Sequence, residues 1–308
     1  MKPSRRRFLT IMAGCVLSAT AARAGGSEPV RWRGRALGAE ADIQLFGTDR
    51  AKAAQALAAA RDTILRMESL FSLYKANSAL NRLNDSGFLS MAPEFARLMR
   101  RVDRINRQTD GLFDPSIQPL MVAEAEAGKG MSAEDRRSLA ARIGWDKVQL
   151  QPAHISFSRP GMAMTLNGIA QGFATDRVSE VLRTHGFDSN LVHIGEFRAG
   201  TRNARIGVAN ASGAVVEAVD LKEAALATSA PFGTRFLNGQ GHIVRPDLTQ
   251  AALRWQSVTV KADTATAADG LSTALALTNT PALAERIVAE GVAQAIWLEE
   301  QDGTLVRI

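Results

Sequence analysis

The sequence predicts an α+β fold (mixed α/β in element order), built as a single large domain of two packed subdomains with mixed, largely antiparallel sheets. Three observations predict it. Apolar residues recur at helical spacing in some segments and alternate in others, without the strand–helix–strand rhythm of a doubly wound sheet. The extended segments come in neighbouring pairs joined by short turns, as hairpins do. No Pro/Gly/Ser-rich linker, low-complexity tract or clear repeat divides the 308 residues. The roughly 280 residues that follow the N-terminal segment therefore form one large domain or two intimately packed ones.

The elements follow in order. A strand pair spans Val30 to Phe46, and an Ala-rich amphipathic helix runs from about Arg50 to Ser69. Two more helices run from Pro93 to Gln108 and from Ala133 to Ile143. Val148–Leu150 and Ile155–Phe157 read as strands around a turn, and Ala170–His185 as a helix closed by Gly186. Strands are expected at Leu191–Ile194, Arg205–Val208, Val215–Leu221 and Ser257–Lys261, the last feeding a helix that contains Asp269. A helix over Pro281–Glu290 precedes a hairpin, Ala295–Leu298 and Leu305–Ile308, turning at Asp302-Gly303.

Residues 1–24 read as a twin-arginine export signal, and 25–308 as the mature domain. Arg5-Arg6-Arg7-Phe8-Leu9 leads into the apolar run Ile11 to Ala22, then Ala22-Arg23-Ala24, a small-residue cleavage site before Gly25. That run is shorter than the ~20 residues of a membrane span. The expectation is a periplasmic protein exported folded, with no transmembrane span in the mature chain. The single cysteine, Cys15, lies in the signal, where Met12-Ala13-Gly14-Cys15 only faintly resembles a lipoprotein box. Its removal leaves no disulfide, thiolate catalyst or Cys-ligated metal. Of the net +6, five charges come from Lys2, Arg5, Arg6, Arg7 and Arg23, leaving +1 for 25–308 and no case for nucleic acid. His154, His185, His193 and His242 have no HxxxH-type spacing, which argues against zinc.

Chemistry enters at Asp269-Gly270-Leu271-Ser272-Thr273, read as the first turns of a helix. Residues four apart share a helix face, so a carboxylate and a hydroxyl point at one spot. That pair suits a hard cation such as Mg²⁺. The alternative is an N-cap or dipole role for Asp269.

Other segments bear on this choice. Met67-Glu68-Ser69-Leu70-Phe71-Ser72-Leu73-Tyr74 precedes Asn77 to Asn84, and Gly111-Leu112-Phe113-Asp114-Pro115 follows a helix. Gly168-Ile169-Ala170-Gln171-Gly172 opens another, and Gly241-His242-Ile243-Val244-Arg245-Pro246 comes before the Asp269 segment. In this order the set resembles the ApbE family, the periplasmic FAD:protein FMN transferases, from about Arg35 to the C-terminus.

The resemblance implies a fold and a chemistry. Such proteins bind FAD and Mg²⁺, cleave the pyrophosphate and pass FMN to a Thr or Ser hydroxyl of a partner protein. It implies that Asp269, Thr273 and the Gly168 carbonyl hold the metal, and that His242 serves as base beside a catalytic Asp269. Leu37, Tyr74, Leu112, Phe113, Asp114, Thr165, Gln171 and Ile243 fall where the family contacts or walls the flavin. Other roles stay open: core packing for Tyr74, a turn before Pro115 for Asp114, and a backbone-satisfied loop histidine for His242.

Departures from the family pattern are as informative. An Asp is replaced by Thr165 and a cofactor-facing Lys by Gln171, which removes a positive charge beside the pyrophosphate. Asn-x-Gly-Gly-Asp reads His193-Ile194-Gly195-Glu196-Phe197, and Ile-Asp-Pro reads Val244-Arg245-Pro246. Two classes of function result. One is an Mg²⁺-dependent transferase acting on a periplasmic or membrane-anchored redox protein. Its export signal and His193 to Arg198 segment are similar to those of family members serving nitrous-oxide respiration. The other is a non-catalytic FAD-binding or assembly protein, with an FAD pyrophosphatase between the two.

Overall fold

A two-residue strand, β1 (Cys15–Val16), precedes the hairpin of β2 (Val30–Ala36) and β3 (Ala39–Leu45). These belong to a computed structural model that describes residues 15–16, 28–47, 49–126, 131–236, 239–249 and 251–308. The twin-arginine motif and the Ala22–Ala24 cleavage site lie outside the described residues.

The β2–β3 turn, Leu37-Gly38, has positive φ at both residues (49° and 83°), which matches the right-handed twist of a tight hairpin. Helix α1 (Arg50–Phe71) is capped by Asp49, whose carboxylate accepts from Lys52 N, and it buries an alanine-rich stripe including Ala53, Ala56 and Ala60. Ser78 caps α2 (Ala79–Ser86), which stops at Gly87 in the left-handed region and passes into β4 (Phe88–Ser90). Helix α3 (Pro93–Gln108) starts with proline at its first position, where no donor is lost. Then come α4 (Gln118–Glu126), α5 (Ala133–Ala140), β5 (Val148–Leu150) and β6 (His154–Phe157).

The second half holds α6 (Ala170–Thr184), β7 (Asn190–Ile194), β8 (Glu196–Ala199), β9 (Ala204–Ala209), β10 (Val215–Leu221) and β11 (Ala225–Ser229). It closes with β12 (Trp255–Ala262), α7 (Ala265–Leu275), α8 (Ala282–Ala289), β13 (Ala295–Glu300) and β14 (Leu305–Arg307). An eight-stranded sheet runs β14-β13-β12-β11-β8-β7-β3-β2, with every pairing antiparallel. Two three-stranded sheets, β1-β9-β10 and β4-β6-β5, flank it. Helices α6 and α7 pack on each other and on the centre of the large sheet, and α1 packs on α6.

The α+β expectation with largely antiparallel sheets therefore holds. Two element expectations do not. Helix α5 ends at Ala140, short of Ile143, because Ala141 and Arg142 pass into a turn before Gly144 at φ 138°. Helix α7 starts at Ala265, capped by the Thr264 hydroxyl on Ala267 N, so Asp269 sits in its second turn. The N-cap alternative for Asp269 is thereby overturned.

Candidate functional site

Helices α6 and α7 cap each other. Asp176 on α6 accepts from the first-turn amides of α7, Ala265 N and Thr266 N, each at 2.9 Å, and from the Thr266 hydroxyl. In return Asp269 Oδ2 on α7 accepts from Gly172 N at 2.9 Å, a first-turn donor of α6. Each carboxylate thus satisfies orphan donors at the positive end of the other helix. Gly172 makes the approach possible: a Cβ there would lie 2.3 Å from the Ala265 carbonyl oxygen and 2.8 Å from Asp269 Cβ.

The clamp brings together an oxygen set. Thr273, one turn beyond Asp269, directs its hydroxyl to the Gly168 carbonyl at 3.4 Å. A side chain at position 168 would push Cβ to 2.8 Å from Thr273 Oγ1, so glycine is needed for the carbonyl to stand there. Asp269 is buried, and among the described residues only one of its oxygens is taken by a protein donor. Burial, with the Asp176 charge nearby, pushes its carboxyl up to about 7 despite the Gly172 amide. A carbonyl, a hydroxyl and a carboxylate form a hard donor set, and this one fits Mg²⁺. Among the described residues no cluster of three His, Cys, Asp or Glu side chains offers a softer site.

His242 faces the same cavity as Asp269 and Thr273. Its loop is drawn tight: Gly241 approaches Pro231 so closely that a Cβ would meet the Pro231 oxygen at 2.4 Å. Two carbonyls, Pro231 O and Thr234 O, lie 3.1 Å from His242 Nδ1. Both can only accept, so the proton belongs on Nδ1 and Nε2 keeps its lone pair. Burial lowers the imidazole's pKa, against the pull of those carbonyls, which favours the neutral ring. The backbone-satisfied role is thus met through Nδ1, and it leaves Nε2 turned to other use.

The expected flavin contacts line two joined compartments that share Met121, Asn167, Gln171 and His242. Leu37 and Tyr74 border the first compartment. The Leu37 turn is held from outside by Glu68, which accepts from Leu37 N at 3.1 Å. From inside, Gln171 Nε2 donates to Leu37 O at 3.3 Å. Tyr74 is half exposed rather than packed away, and it borders the compartment together with Asn167. Leu112, Phe113, Asp114, Thr165 and Ile243 wall the second compartment with the oxygen set. Both Asp114 oxygens go to backbone donors, Ser116 N at 2.8 Å and Trp145 N at 2.9 Å, so its carboxylate ties the loop together. Thr165 N donates to Pro115 O at 2.8 Å and fixes the facing wall.

Sequence reasoning missed two members of the site as such. Glu196 lines the compartment beside Asp269 and is buried; burial and the Asp269 charge push its carboxyl well above the ordinary range. Asp176 is the clamp. Neither stands in a pattern that marks a buried acid. Arg245 does not replace the lost lysine. It makes a fork with Asp247 and donates to Leu277 O at 2.6 Å, and it holds the Asp247 carboxyl down at about 2. His193 and Phe197, two other departures, stack on each other across the β7–β8 hairpin with ring centroids 4.2 Å apart.

Comparison with known proteins agrees with this geometry. An FAD:protein FMN transferase of Haemophilus influenzae is 29% identical over 231 residues, 66% of this chain and 67% of the relative. One of Salmonella typhimurium is 25% identical over 302 residues, 88% of this chain and 84% of its own. The crystal structure of the ApbE protein from Thermotoga maritima superposes with a TM-score of 0.81 at 24% identity, covering 91% of this chain and 97% of that one. The ApbE family model matches residues 37–297, a span that takes in the Leu37 turn, the α6–α7 clamp and the His242 loop, and the chain belongs to the ApbE family.

Proposed function

We propose that this protein is a divalent-cation-dependent FAD:protein FMN transferase. The observation that carries the reading is the meeting, in one cavity, of the Gly168–Asp269–Thr273 oxygen set with a histidine whose Nε2 has no partner among the described residues. Mg²⁺ held there would neutralise pyrophosphate charge and polarise the phosphoryl group. The chain's own residues do the rest. Leu37 and Tyr74 offer an edge and a flat face to an aromatic ring system. Asp269, kept in place by the Gly172 amide, must give up its proton to act as a ligand. His242 Nε2 accepts the proton of the acceptor Thr or Ser hydroxyl as its oxygen bonds to the FMN phosphorus. The bond from that phosphorus to the bridging oxygen breaks, and AMP leaves. Phosphoryl transfer relies mainly on such positioning and charge neutralisation.

The narrower reading is that the acceptor is a periplasmic or membrane-anchored redox protein, reached after twin-arginine export and serving nitrous-oxide respiration. Arg5-Arg6-Arg7 and the His193 to Arg198 segment support it. A second reading, FAD binding without transfer, is favoured by Gln171 and by the locked Arg245, which leave the pyrophosphate region without the family's lysine charge. Incubation with FAD, Mg²⁺ and a candidate acceptor domain, followed by intact mass spectrometry, separates the two. Transfer predicts a mass gain equal to covalent FMN, absent with EDTA and in Asp269→Ala. FAD binding with neither FMN transfer nor AMP release across several acceptors would establish the carrier reading instead.

A further inference from the structure

Away from the flavin cavity, α3 and α6 enclose a cleft of about 470 Å³ lined by seven arginines and only two acids. Arg97, Arg100, Arg101 and Arg104 stand at i, i+3, i+4 and i+7 on α3, so they form one stripe along a single face. Arg177 and Arg183 line the cleft from α6, and Arg198 from β8. Gln171 and Glu180 are nine residues apart on α6, about half a revolution, so the cleft and the flavin cavity lie on opposite sides of that helix.

The acids do not neutralise this charge. Glu180 is shared by Arg97 and Arg177. Asp176 is spent on the α7 amides, with Arg198 3.9 Å away. Among the described residues Arg100, Arg101, Arg104 and Arg183 have no carboxylate partner. Arg183 Nη2 is moreover buried with no hydrogen-bond acceptor at all. Like charges at i, i+4 oppose a helix, and a buried donor without an acceptor opposes folding. Two independent features of one cleft thus ask for negative charge from outside.

We propose that this cleft is the docking site for an acidic, carboxylate-bearing segment of a partner protein. The cleft shows the chemistry itself, because the anions it already holds are carboxylates on guanidinium groups. Its shape selects the partner. From Arg97 to Arg104 the stripe extends about 10 Å along the helix axis, the reach of three or four residues of extended chain at about 3.3 Å each. A row of guanidiniums in a concavity matches carboxylates spaced along a strand better than one compact phosphate or a flat bilayer. The inference deepens the transferase reading, in which the partner is the flavin acceptor. The docked segment and the modified hydroxyl are then different parts of that partner.

The test is fluorescence anisotropy of a labelled hexaglutamate peptide with the full chain, in EDTA and without FAD, so that its outcome is independent of transfer. Binding is expected to weaken about tenfold between roughly 50 and 300 mM salt. It is expected to weaken at least about tenfold in the Arg100→Ala, Arg101→Ala, Arg104→Ala triple variant and in Arg183→Met. The basic N-terminal segment is common to all these proteins, so the difference isolates the cleft. The triple variant should melt no lower than the parent, since alanine favours helix and removes repulsion; Gln at the three positions serves as a second variant that keeps side-chain length. Equal affinity in parent and variants overturns the proposal. So does tripolyphosphate binding much tighter than the peptide, or variant-sensitive binding to phosphatidylglycerol vesicles without peptide binding. Conversely, Asp269→Ala should lose transfer and keep the peptide, which separates failure of the docking site from failure of the enzyme assignment.

Discussion

At the scale of single residues the proposed function turns on His242 and Gln171. His242 spends Nδ1 on two carbonyls 3.1 Å away, and the proposed mechanism uses Nε2 as the base. Asn at this position retains a donor for those carbonyls but has no base. His242→Asn should therefore lower kcat by about 10²–10⁴-fold with the melting temperature little changed. A purely structural histidine would give the opposite pattern, a lower melting temperature with kcat intact. Gln171 holds the Leu37 carbonyl only at 3.3 Å, so little is lost by replacing it. Gln171→Lys should tighten metal-free FAD binding by roughly five- to tenfold, a typical return for one charge beside a phosphate at a half-solvated site. Calorimetry with FAD in EDTA reads this directly, and unchanged affinity would show the departure to be neutral.

At the scale of elements, the α6–α7 clamp sets the geometry. Alanine is preferred over glycine inside a helix by about 1 kcal/mol, so Gly172→Ala would be favourable if only local propensity counted. The 2.3 Å approach to the Ala265 carbonyl outweighs it, since backbone cannot move aside as a side-chain tip can. The expected outcome is a net loss of about 1–3 kcal/mol in urea unfolding, with weaker Mg²⁺ binding because Asp269 is displaced. Legibility in sequence also differs by element. The ends of α3 were readable because Pro93 begins it and its apolar stripe is regular. The start of α7 was not: Ala265-Thr266-Ala267-Ala268 shows no periodicity, and the cap is a Thr264 hydroxyl whose partner is known only after folding. Strands β8 and β11 went unassigned because they are short and mostly or wholly buried, so no polar alternation marks them.

For the whole molecule, the burial of Asp269 couples folding to pH and, on the proposed function, to the cation. Burial raises the Asp269 carboxyl to about 7 from 3.8. Between those values the metal-free native state keeps a proton that the unfolded chain has released. Its stability therefore falls as pH rises through that window, by at most about 4 kcal/mol. Glu196, raised by burial and by Asp269, acts in the same direction. An ion held by the ionised carboxylate works against this loss. The melting temperature in EDTA should fall from about pH 5 to about pH 8, and the gain from added Mg²⁺ should be larger at the upper pH. In Asp269→Asn both the slope and the Mg²⁺ gain should shrink. A Mg²⁺ gain independent of pH would show that this carboxylate is not a ligand.

Some of this was determined by the sequence alone. Helical and alternating periodicities depend on neighbours in the chain, so fold class and most elements could be read from them. The ordered motifs around Gly168, His242 and Asp269 likewise carried the resemblance to the family to which the chain belongs. Other features required the tertiary structure. Which histidine nitrogen is free depends on carbonyls eight and eleven residues away along the loop. Whether Arg245 supplies charge to the site is decided by Asp247 and the Leu277 carbonyl. The acidity of Asp269 follows from its burial between two helices that cap each other. Helical spacing puts the four α3 arginines on one face, but only folding sets them against the arginines of α6. Hydrogen-bond satisfaction and desolvation depend on what packs around a group in space, and one-dimensional spacing does not contain that information.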